Sequence, residues 1–424
     1  MLTNPRRNSL VAIALLLALA GVLLVGARGG RAVAAGFGKT ARSHRRADPE
    51  ARPGAVKARA RAGVNATTLP NPGNGLSTNP EFFPIGVWLQ TPTQTARQYA
   101  GIGVNTFVGQ FEGNHPEDLQ ALKEAGEILI SEQDSVGLTN PDNGVIKAWE
   151  SQPDEPDDAQ PNGEGGYGPC VEPSTIIAEY HKLKEADPTR PVYIAFGRGV
   201  AEANWPGRGS CTGDTAMYRE YAEGADIVAF DVYPVNEGYP LSIIATGVDN
   251  LREWAGNKPL ITIIETTPIE GGRGPTPAQI RAETWLALIH GANGVEYFCD
   301  ILSPTFVEDG CLTIPKVVKQ MKADDEQIAS LASVLNSDTI VGGVTVTSKV
   351  RVDTMEKVVG GQTYLFAEAV GTKGGKATFN LAGLGNAKVT VLGEDRTITM
   401  SNGTFKDKFK GYGVHLYEIP AEAG

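Results

Sequence analysis

The sequence has few of the residues on which metal and redox chemistry depend. It contains five histidines in 424 residues, and none lies within four positions of another: His44, His115, His181, His290 and His415. The H-x-H and H-E-x-x-H arrangements of metal-dependent hydrolases are therefore absent, as are the G-x-S-x-G turn of esterases and a phosphate-binding loop. None of the four cysteines forms C-x-x-C, which argues against a zinc or thioredoxin-type site. We expect no metal and no cofactor.

Basic residues are also scarce outside the N-terminus. The whole chain has a net charge of −11, but residues 1–62 hold 12 Lys+Arg and only two acidic residues, Asp48 and Glu50. Residues 63–424 hold 26 basic and 47 acidic residues. Residues 63–424 are thus strongly negative and repel phosphate backbones. Nucleic acid is therefore a poor candidate for the ligand, and a neutral substrate fits better.

The N-terminus resembles an export signal. Arg6 and Arg7 precede an uncharged apolar run over 10–26, and Ala32-Val33-Ala34 follows as a small-residue cleavage site. Residues 1–35 are predicted to be either a signal peptide or a retained membrane anchor, and the sequence does not distinguish these two interpretations. Residues 36–79 are basic and poor in large apolar side chains, which predicts a disordered linker that contacts anionic cell wall or lipid. We therefore predict a secreted or extracytoplasmic protein.

The four cysteines agree with an oxidising compartment. Their spacing favours two local pairs, Cys170 with Cys211 and Cys299 with Cys311. Four cysteines allow three connectivities, and the sequence does not choose among them.

Eight short apolar runs alternate with helical patterns over residues 80–337. Several runs are apolar on both faces, as expected of parallel strands covered by helices. The pattern predicts a (β/α)8 barrel whose third crossover, 132–144, lacks a convincing helical face. The predicted strands are Phe83–Leu89, Thr106–Gln110, Ile128–Ser131, Val145–Trp149, Val192–Phe196, Ile227–Val232, Leu260–Ile264 and Val295–Cys299.

The pattern changes after Asn336. Helical periodicity disappears, and alternating Val, Thr and aromatic residues recur between turn signals such as Gly385-Asn386 and Asn402-Gly403. Residues 338–424 are therefore predicted to form a small antiparallel β-sandwich.

Acidic side chains follow several of the predicted barrel strands. A barrel presents its functional groups at the C-terminal ends of its strands. Glu155 follows the fourth strand, with Glu150 as a rival, and Glu265 ends the seventh. Two facing carboxylates suit glycosidic bond cleavage, which needs a proton donor and a nucleophile. Asp231 and Tyr233 follow the sixth strand.

These residues carry a resemblance to the clan A glycoside hydrolases, the barrel group with cellulase-like and β-galactosidase-like families. The motifs are Phe83-Pro84-Ile85-Gly86-Val87-Trp88, Asp154-Glu155-Pro156, Asp231-Val232-Tyr233-Pro234 and Ile264-Glu265, and the likeness spans residues 80–420. It implies a retaining enzyme with Glu155 as acid/base and Glu265 as nucleophile. It further implies that Tyr233 orients the nucleophile.

Other residues are candidates for contact with an oligo- or polysaccharide. Trp88 and Trp205 have faces on which a sugar can stack. Asp154, Asp231 and Glu296 supply polar contacts, and Asp154 stands where the clan usually has Asn. The alternative from another class is a non-catalytic carbohydrate-binding or cell-wall-associated protein on the same barrel.

Overall fold

The computed structural model describes residues 66–159 and 168–420. A short strand β1 (Thr67–Leu69) comes first, followed by eight parallel strands that close into a barrel, because the last of them pairs with the first. All eight predicted strands are confirmed, with ends shifted by two residues or fewer. They are β2 (Ile85–Trp88), β3 (Thr106–Val108), β4 (Ile128–Ser131), β5 (Ile146–Glu150), β6 (Val192–Phe196), β7 (Ile227–Asp231), β8 (Leu260–Glu265) and β9 (Gly294–Phe298).

Helices connect the barrel strands, and many of them begin at a proline, whose fixed φ suits the first helical position. As predicted, the third crossover has only a five-residue helix and a short 3-10 turn, Asn143–Val145. The helices are α1 (Pro92–Ala100), α2 (Pro116–Ala125), α3 (Ser135–Thr139), α4 (Pro173–Ala186), α5 (Met217–Glu223), α6 (Pro234–Glu237), α7 (Ser242–Ala255), α8 (Pro277–Ile289), α9 (Pro315–Ser330) and α10 (Ala332–Leu335).

The continuous apolar runs are explained by burial on both faces of each strand. In β8, Leu260 and Ile264 pack outward among the helices, whereas Ile261 and Ile263 pack inside the barrel. Successive side chains of a strand alternate between faces. The alternation places Glu265, the last residue of β8, on the inward side at the carboxyl end of the barrel.

The C-terminal part is built of two antiparallel sheets that share a core. A seven-stranded sheet has the order β1-β10-β12-β13-β18-β15-β16, and a three-stranded sheet has the order β11-β14-β17. Phe379 and Tyr417 contact each other in the shared core. The strands are β10 (Thr339–Val341), β11 (Val344–Ser348), β12 (Val352–Val359), β13 (Gln362–Ala369), β14 (Gly375–Leu381), β15 (Ala387–Val391), β16 (Arg396–Met400), β17 (Thr404–Phe409) and β18 (Val414–Ile419).

The end of the predicted linker is folded, which corrects the expectation of disorder over 66–79. β1 pairs with β10 in antiparallel register, Thr67 opposite Val341 and Leu69 opposite Thr339. Asn71 donates from its backbone N–H to Asp338 and from its amide to the carbonyl of Leu335. These contacts tie the segment before the barrel to the segment after it. The predicted signal, 1–35, and linker residues 36–65 lie outside the described residues.

Both cysteine pairs that the spacing favours lie within disulfide distance. Cys170 pairs with Cys211 and Cys299 with Cys311, with Cα separations of 6.2 and 4.8 Å. Within the described ranges, no helix is long and apolar enough to cross a membrane.

The barrel and the β-sheets contact each other through α8. The Trp285 ring packs against Phe366 of β13, with ring centroids 5.6 Å apart. His290, directly after α8, contacts Asp249 of α7 at 3.0 Å and Asp353 of β12 at 3.1 Å. These carboxylates raise the pKa of His290 to about 9 although burial opposes the charge.

Candidate active site

Glu155 lies in the loop after the fourth barrel strand, five residues beyond the last residue of β5, Glu150. Its backbone is left-handed, with φ of 46°. A side chain other than glycine costs about 1 kcal/mol or more in that conformation, and such strain concentrates at functional sites. The residue is half-buried, and its carboxyl group hydrogen-bonds to Asp231, the last residue of β7. Burial, then the charges of Asp231 and Asp158, raise the pKa of Glu155 well above its ordinary value.

The Glu155 loop is held in place by Asp157, which has no exposed surface. Its carboxylate accepts hydrogen bonds from the Gly197 N–H at 2.9 Å and the Tyr218 hydroxyl at 2.7 Å. Gly197 leaves room for Asp158, because a Cβ at that position would lie 2.9 Å from the Asp158 carboxylate oxygens. The loop therefore packs directly on the end of the fifth barrel strand.

Five carboxyl groups meet at the carboxyl end of the barrel and are called the mouth cluster below: Glu150, Asp154, Glu155, Asp231 and Glu296. Burial and the charge of Asp231 raise the pKa of Asp154 to about 7. Burial, and to a smaller extent the charge of Asp154, raises the pKa of Glu150, Glu155 and Glu296. The strands that carry or precede these groups, β5, β7 and β9, belong to the same closed barrel, so their carboxyl ends face one mouth.

Glu296 lies deepest in the mouth cluster and has no exposed surface. One of its oxygens accepts a hydrogen bond from the Tyr193 hydroxyl at 3.0 Å. Gly86, opposite on β2, leaves room for it, because a Cβ there would lie 3.3 Å from Cγ of Glu296. Burial raises the pKa of Glu296 to about 8.

Glu265 is fully buried, and both carboxylate oxygens accept hydrogen bonds. The donors are the backbone N–H groups of Val235 and Asn236 and the Asn236 amide. Burial raises the pKa of Glu265 to about 7, although the three hydrogen bonds favour the ionised form.

An aromatic wall borders the mouth cluster. Phe298 stacks on Trp88 with ring centroids 5.3 Å apart and contacts Tyr233 at 5.1 Å. Trp88 and Tyr233 are half-buried, so part of each ring faces solvent. The wall lies beside the acids, since the Tyr233 hydroxyl hydrogen-bonds to Asp231, and burial and the charges of Asp231, Glu155 and Glu296 raise the pKa of Tyr233.

Trp205 lies apart from the aromatic wall. The Arg198 guanidinium covers its ring, with 5.2 Å between the guanidinium carbon and the ring centroid. Arg198 also pairs with Glu237 at 3.3 Å, and the charge of Asp231 helps to raise the pKa of Glu237 to about 8, mainly the effect of burial. Trp205 is thus linked to the mouth cluster through Arg198 and Glu237.

The structure departs from the resemblance at Tyr233. Its hydroxyl hydrogen-bonds to Asp231, and the groups that hold Glu265 are instead Val235 and Asn236, two and three residues further along the chain. The sequence analysis did not single out Asn236, Phe298 or Gln110. Gln110 and Phe298 could have been found from strand alternation, since each lies two residues after an inward-facing position, Val108 and Glu296.

Comparison with known proteins finds a match only among solved structures. No protein-family profile matches the sequence, and no curated relative matches it. The α-amylase of Geobacillus thermoleovorans, solved in complex with acarbose, is 9% identical, has a TM-score of 0.52, and is matched over 82% of this chain and 100% of its own. A putative α-galactosidase of Bacteroides fragilis is 10% identical over 80% and 79% of the two chains, with a TM-score of 0.49. A family 30 endoxylanase of Clostridium papyrosolvens is 12% identical over 84% and 98%, with a TM-score of 0.47.

The likeness is one of fold. The chain shares the barrel architecture of glycoside hydrolases, which confirms at that level the resemblance found in the sequence. Identities this low carry over neither a substrate nor a mechanism.

Proposed function

We propose that the protein is an exported retaining glycoside hydrolase that cleaves an oligo- or polysaccharide. The observation that carries the proposal is Glu155, a half-buried residue at the mouth of the barrel that hydrogen-bonds to Asp231 and whose carboxyl pKa is raised well above its ordinary value by burial and by the charges of Asp231 and Asp158. A general acid needs its pKa raised in this way, so that it holds a proton until the leaving oxygen takes it.

In the proposed reaction, Glu155 donates its proton to the glycosidic oxygen while the Glu265 carboxylate attacks the anomeric carbon. Glu155, now ionised, then removes a proton from the water that hydrolyses the glycosyl-enzyme. The two inversions return the product to the starting configuration. Trp88 and Tyr233 offer faces on which the sugar stacks.

The buried state of Glu265 favours a second candidate, a non-catalytic carbohydrate-binding or cell-wall-associated protein. The Glu265 carboxylate has no exposed surface and accepts three hydrogen bonds. It therefore reaches a sugar only after the barrel mouth rearranges. Binding of a glycan without turnover is the result that this second candidate predicts.

Export is supported by the two disulfides, which persist in oxidising compartments. The signal itself, and the contact of the basic linker with anionic wall or lipid, rest on the sequence pattern alone.

The experiment is an activity screen of wild type, Glu155→Ala and Glu265→Ala on aryl glycosides and polysaccharides. We expect both variants to lose about 100-fold or more of kcat/KM on any substrate that wild type cleaves. Glu253→Ala, which removes a half-exposed carboxylate on α7, is the matched control and should retain activity. Wild-type turnover by both active-site variants would show the assignment to be wrong.

A further inference from the structure

The mouth cluster contains more carboxyl groups than the proposed reaction uses. Glycosidic cleavage needs one acid from the cluster, Glu155, together with Glu265. The remaining four, Glu150, Asp154, Asp231 and Glu296, neither donate the proton nor attack the anomeric carbon. Burying a carboxyl group is costly unless a partner compensates, so this surplus calls for an explanation.

Arg198 and Arg208, on elements beside the barrel mouth, have partners outside the mouth cluster. Arg198 pairs with Glu202 at 2.7 Å and with Glu237 at 3.3 Å. Arg208 has no exposed surface, and one of its nitrogens donates to the Asp214 carbonyl. The hydrogen-bond donors that reach the cluster itself are neutral, such as the hydroxyls of Tyr193 and Tyr233. The cluster therefore has acceptors in excess and lacks a positive counterpart among the side chains that contact it in the described ranges.

Two buried polar side chains on inward-facing positions also indicate that a ligand binds at the barrel mouth. Within the described residues, the second carboxyl oxygen of Glu296, which is fully buried, has no hydrogen-bond partner. The amide of Gln110, just beyond β3, is 94% buried and likewise has none on either its oxygen or its nitrogen. Groups of this kind are normally paired, and unpaired ones are a sign of an absent ligand or water.

The aromatic wall indicates the chemistry of the missing partner. Trp88 and Tyr233 present part of their rings beside Asp231 and Glu155. Ring faces attract organic cations, and carboxylates bind ammonium groups through charge-assisted hydrogen bonds. A sugar that carries an ammonium group satisfies both surfaces at once.

We propose that the mouth cluster binds the protonated amine of a glycan built from unacetylated amino sugars, with Asp154 and Asp231 as the half-buried carboxylates that contact it. This substrate class rests on the proposed function, because it assumes that a sugar occupies the barrel mouth. The cluster then selects free-amine sugars. An ammonium group has a positive charge and three hydrogen-bond donors, whereas an N-acetyl group and a hydroxyl are uncharged and have one donor each.

The test is calorimetric binding near neutral pH, because the pKa of Asp231 is raised to about 6 and that of Asp154 to about 7 by burial, and a more acidic solution would neutralise both carboxylates. The ligands are oligomers of glucosamine and of galactosamine, each compared with its fully N-acetylated counterpart. We expect wild type to bind one free-amine series about tenfold or more tightly than its acetylated form, and to lose that preference in high salt. Asp154→Asn and Asp231→Asn should reduce amine binding about tenfold and weaken binding of acetylated oligomers by a smaller factor, so that the ratio of the two affinities falls. Glu253→Gln is the charge-matched control and should behave as wild type.

The wild-type comparison decides the question even if a variant fails to fold. Equal affinity for free and acetylated oligomers, or no affinity for either free-amine series, overturns the inference. Hydrolysis of a neutral glycan without amine preference overturns it too and leaves the proposed function standing. Tight amine binding without hydrolysis supports the inference and contradicts the proposed function.

Discussion

Replacing Asn236 with alanine should make Glu265 harder to ionise. The Asn236 side chain donates to the Glu265 carboxylate and to the Thr267 carbonyl at 2.9 Å, and accepts from the Ile269 N–H at 3.0 Å. Alanine removes all three contacts but leaves the backbone donors to Glu265 in place. Because the lost amide favours the ionised carboxylate, the pKa of Glu265 should rise above its value of about 7.

The size of the effect follows from the energy of one hydrogen bond. A hydrogen bond to a charged group is worth about 1.5–3 kcal/mol, and one pKa unit corresponds to about 1.4 kcal/mol. The acid limb of the activity profile should therefore move up by about one pH unit or more. The orphaned Ile269 N–H adds a stability cost of about 1–3 kcal/mol, which is measured separately by thermal unfolding.

Two assays check this prediction. The first is kcat/KM against pH, in which activity falls below about pH 7 in wild type because Glu265 becomes protonated, and falls at a higher pH in the variant. The second is a carbon-13 titration of labelled glutamate carboxyls, with the Glu265 signal assigned by its loss in Glu265→Gln. Asn380→Ala removes an exposed amide donor to Thr404 far from the site and is the control. A folded Asn236→Ala whose Glu265 titrates as in wild type would refute the reasoning.

Three further predictions concern binding and stability. Trp88→Ala should raise KM about tenfold with little change in kcat, because stacking on the aromatic wall is lost; an unchanged KM would exclude Trp88 from the sugar site. His290 has a folded pKa of about 9, above its unfolded value of about 6.5, so its ion pairs with Asp249 and Asp353 stabilise the protein fully below that unfolded value. About 1–3 kcal/mol should be lost as the pH rises through about 9, and urea unfolding of His290→Gln should lack this loss. Replacing both Cys299 and Cys311 with serine should cost about 3 kcal/mol, seen as a lower Tm, because their separation of 12 residues closes a short loop. An unchanged Tm would assign the disulfide no stabilising role.

The barrel could be predicted because its strands are covered on both faces. A strand such as Leu260–Glu265 has a strong apolar signal that ends abruptly at a carboxylate, so both the strand and its functional end can be recognised. β1 gives no such signal. Its three residues, Thr67–Leu69, become a strand only through pairing with β10, more than 250 residues later. Pairing at that distance depends on the folded shape and not on local pattern.

The sequence indicates the acidic residues of the candidate site but not the groups that hydrogen-bond to them. Alternation along β8 places Glu265 at the barrel mouth, yet the donors that hold it come from Val235 and Asn236 in a loop. The left-handed backbone of Glu155 and its contact with Asp231 likewise depend on how the loop after β5 folds back. Loop geometry of this kind is set by tertiary contacts such as those of Asp157, which no sequence period encodes.

The most direct test of the central claim is to trap the glycosyl-enzyme. Wild type is incubated with a fluorinated glycoside of a sugar that it cleaves, digested, and analysed by mass spectrometry. The account predicts one sugar adduct on the peptide that contains Glu265, absent from Glu265→Ala. An adduct on Asp231 or another carboxylate, or a product of inverted configuration, would contradict it.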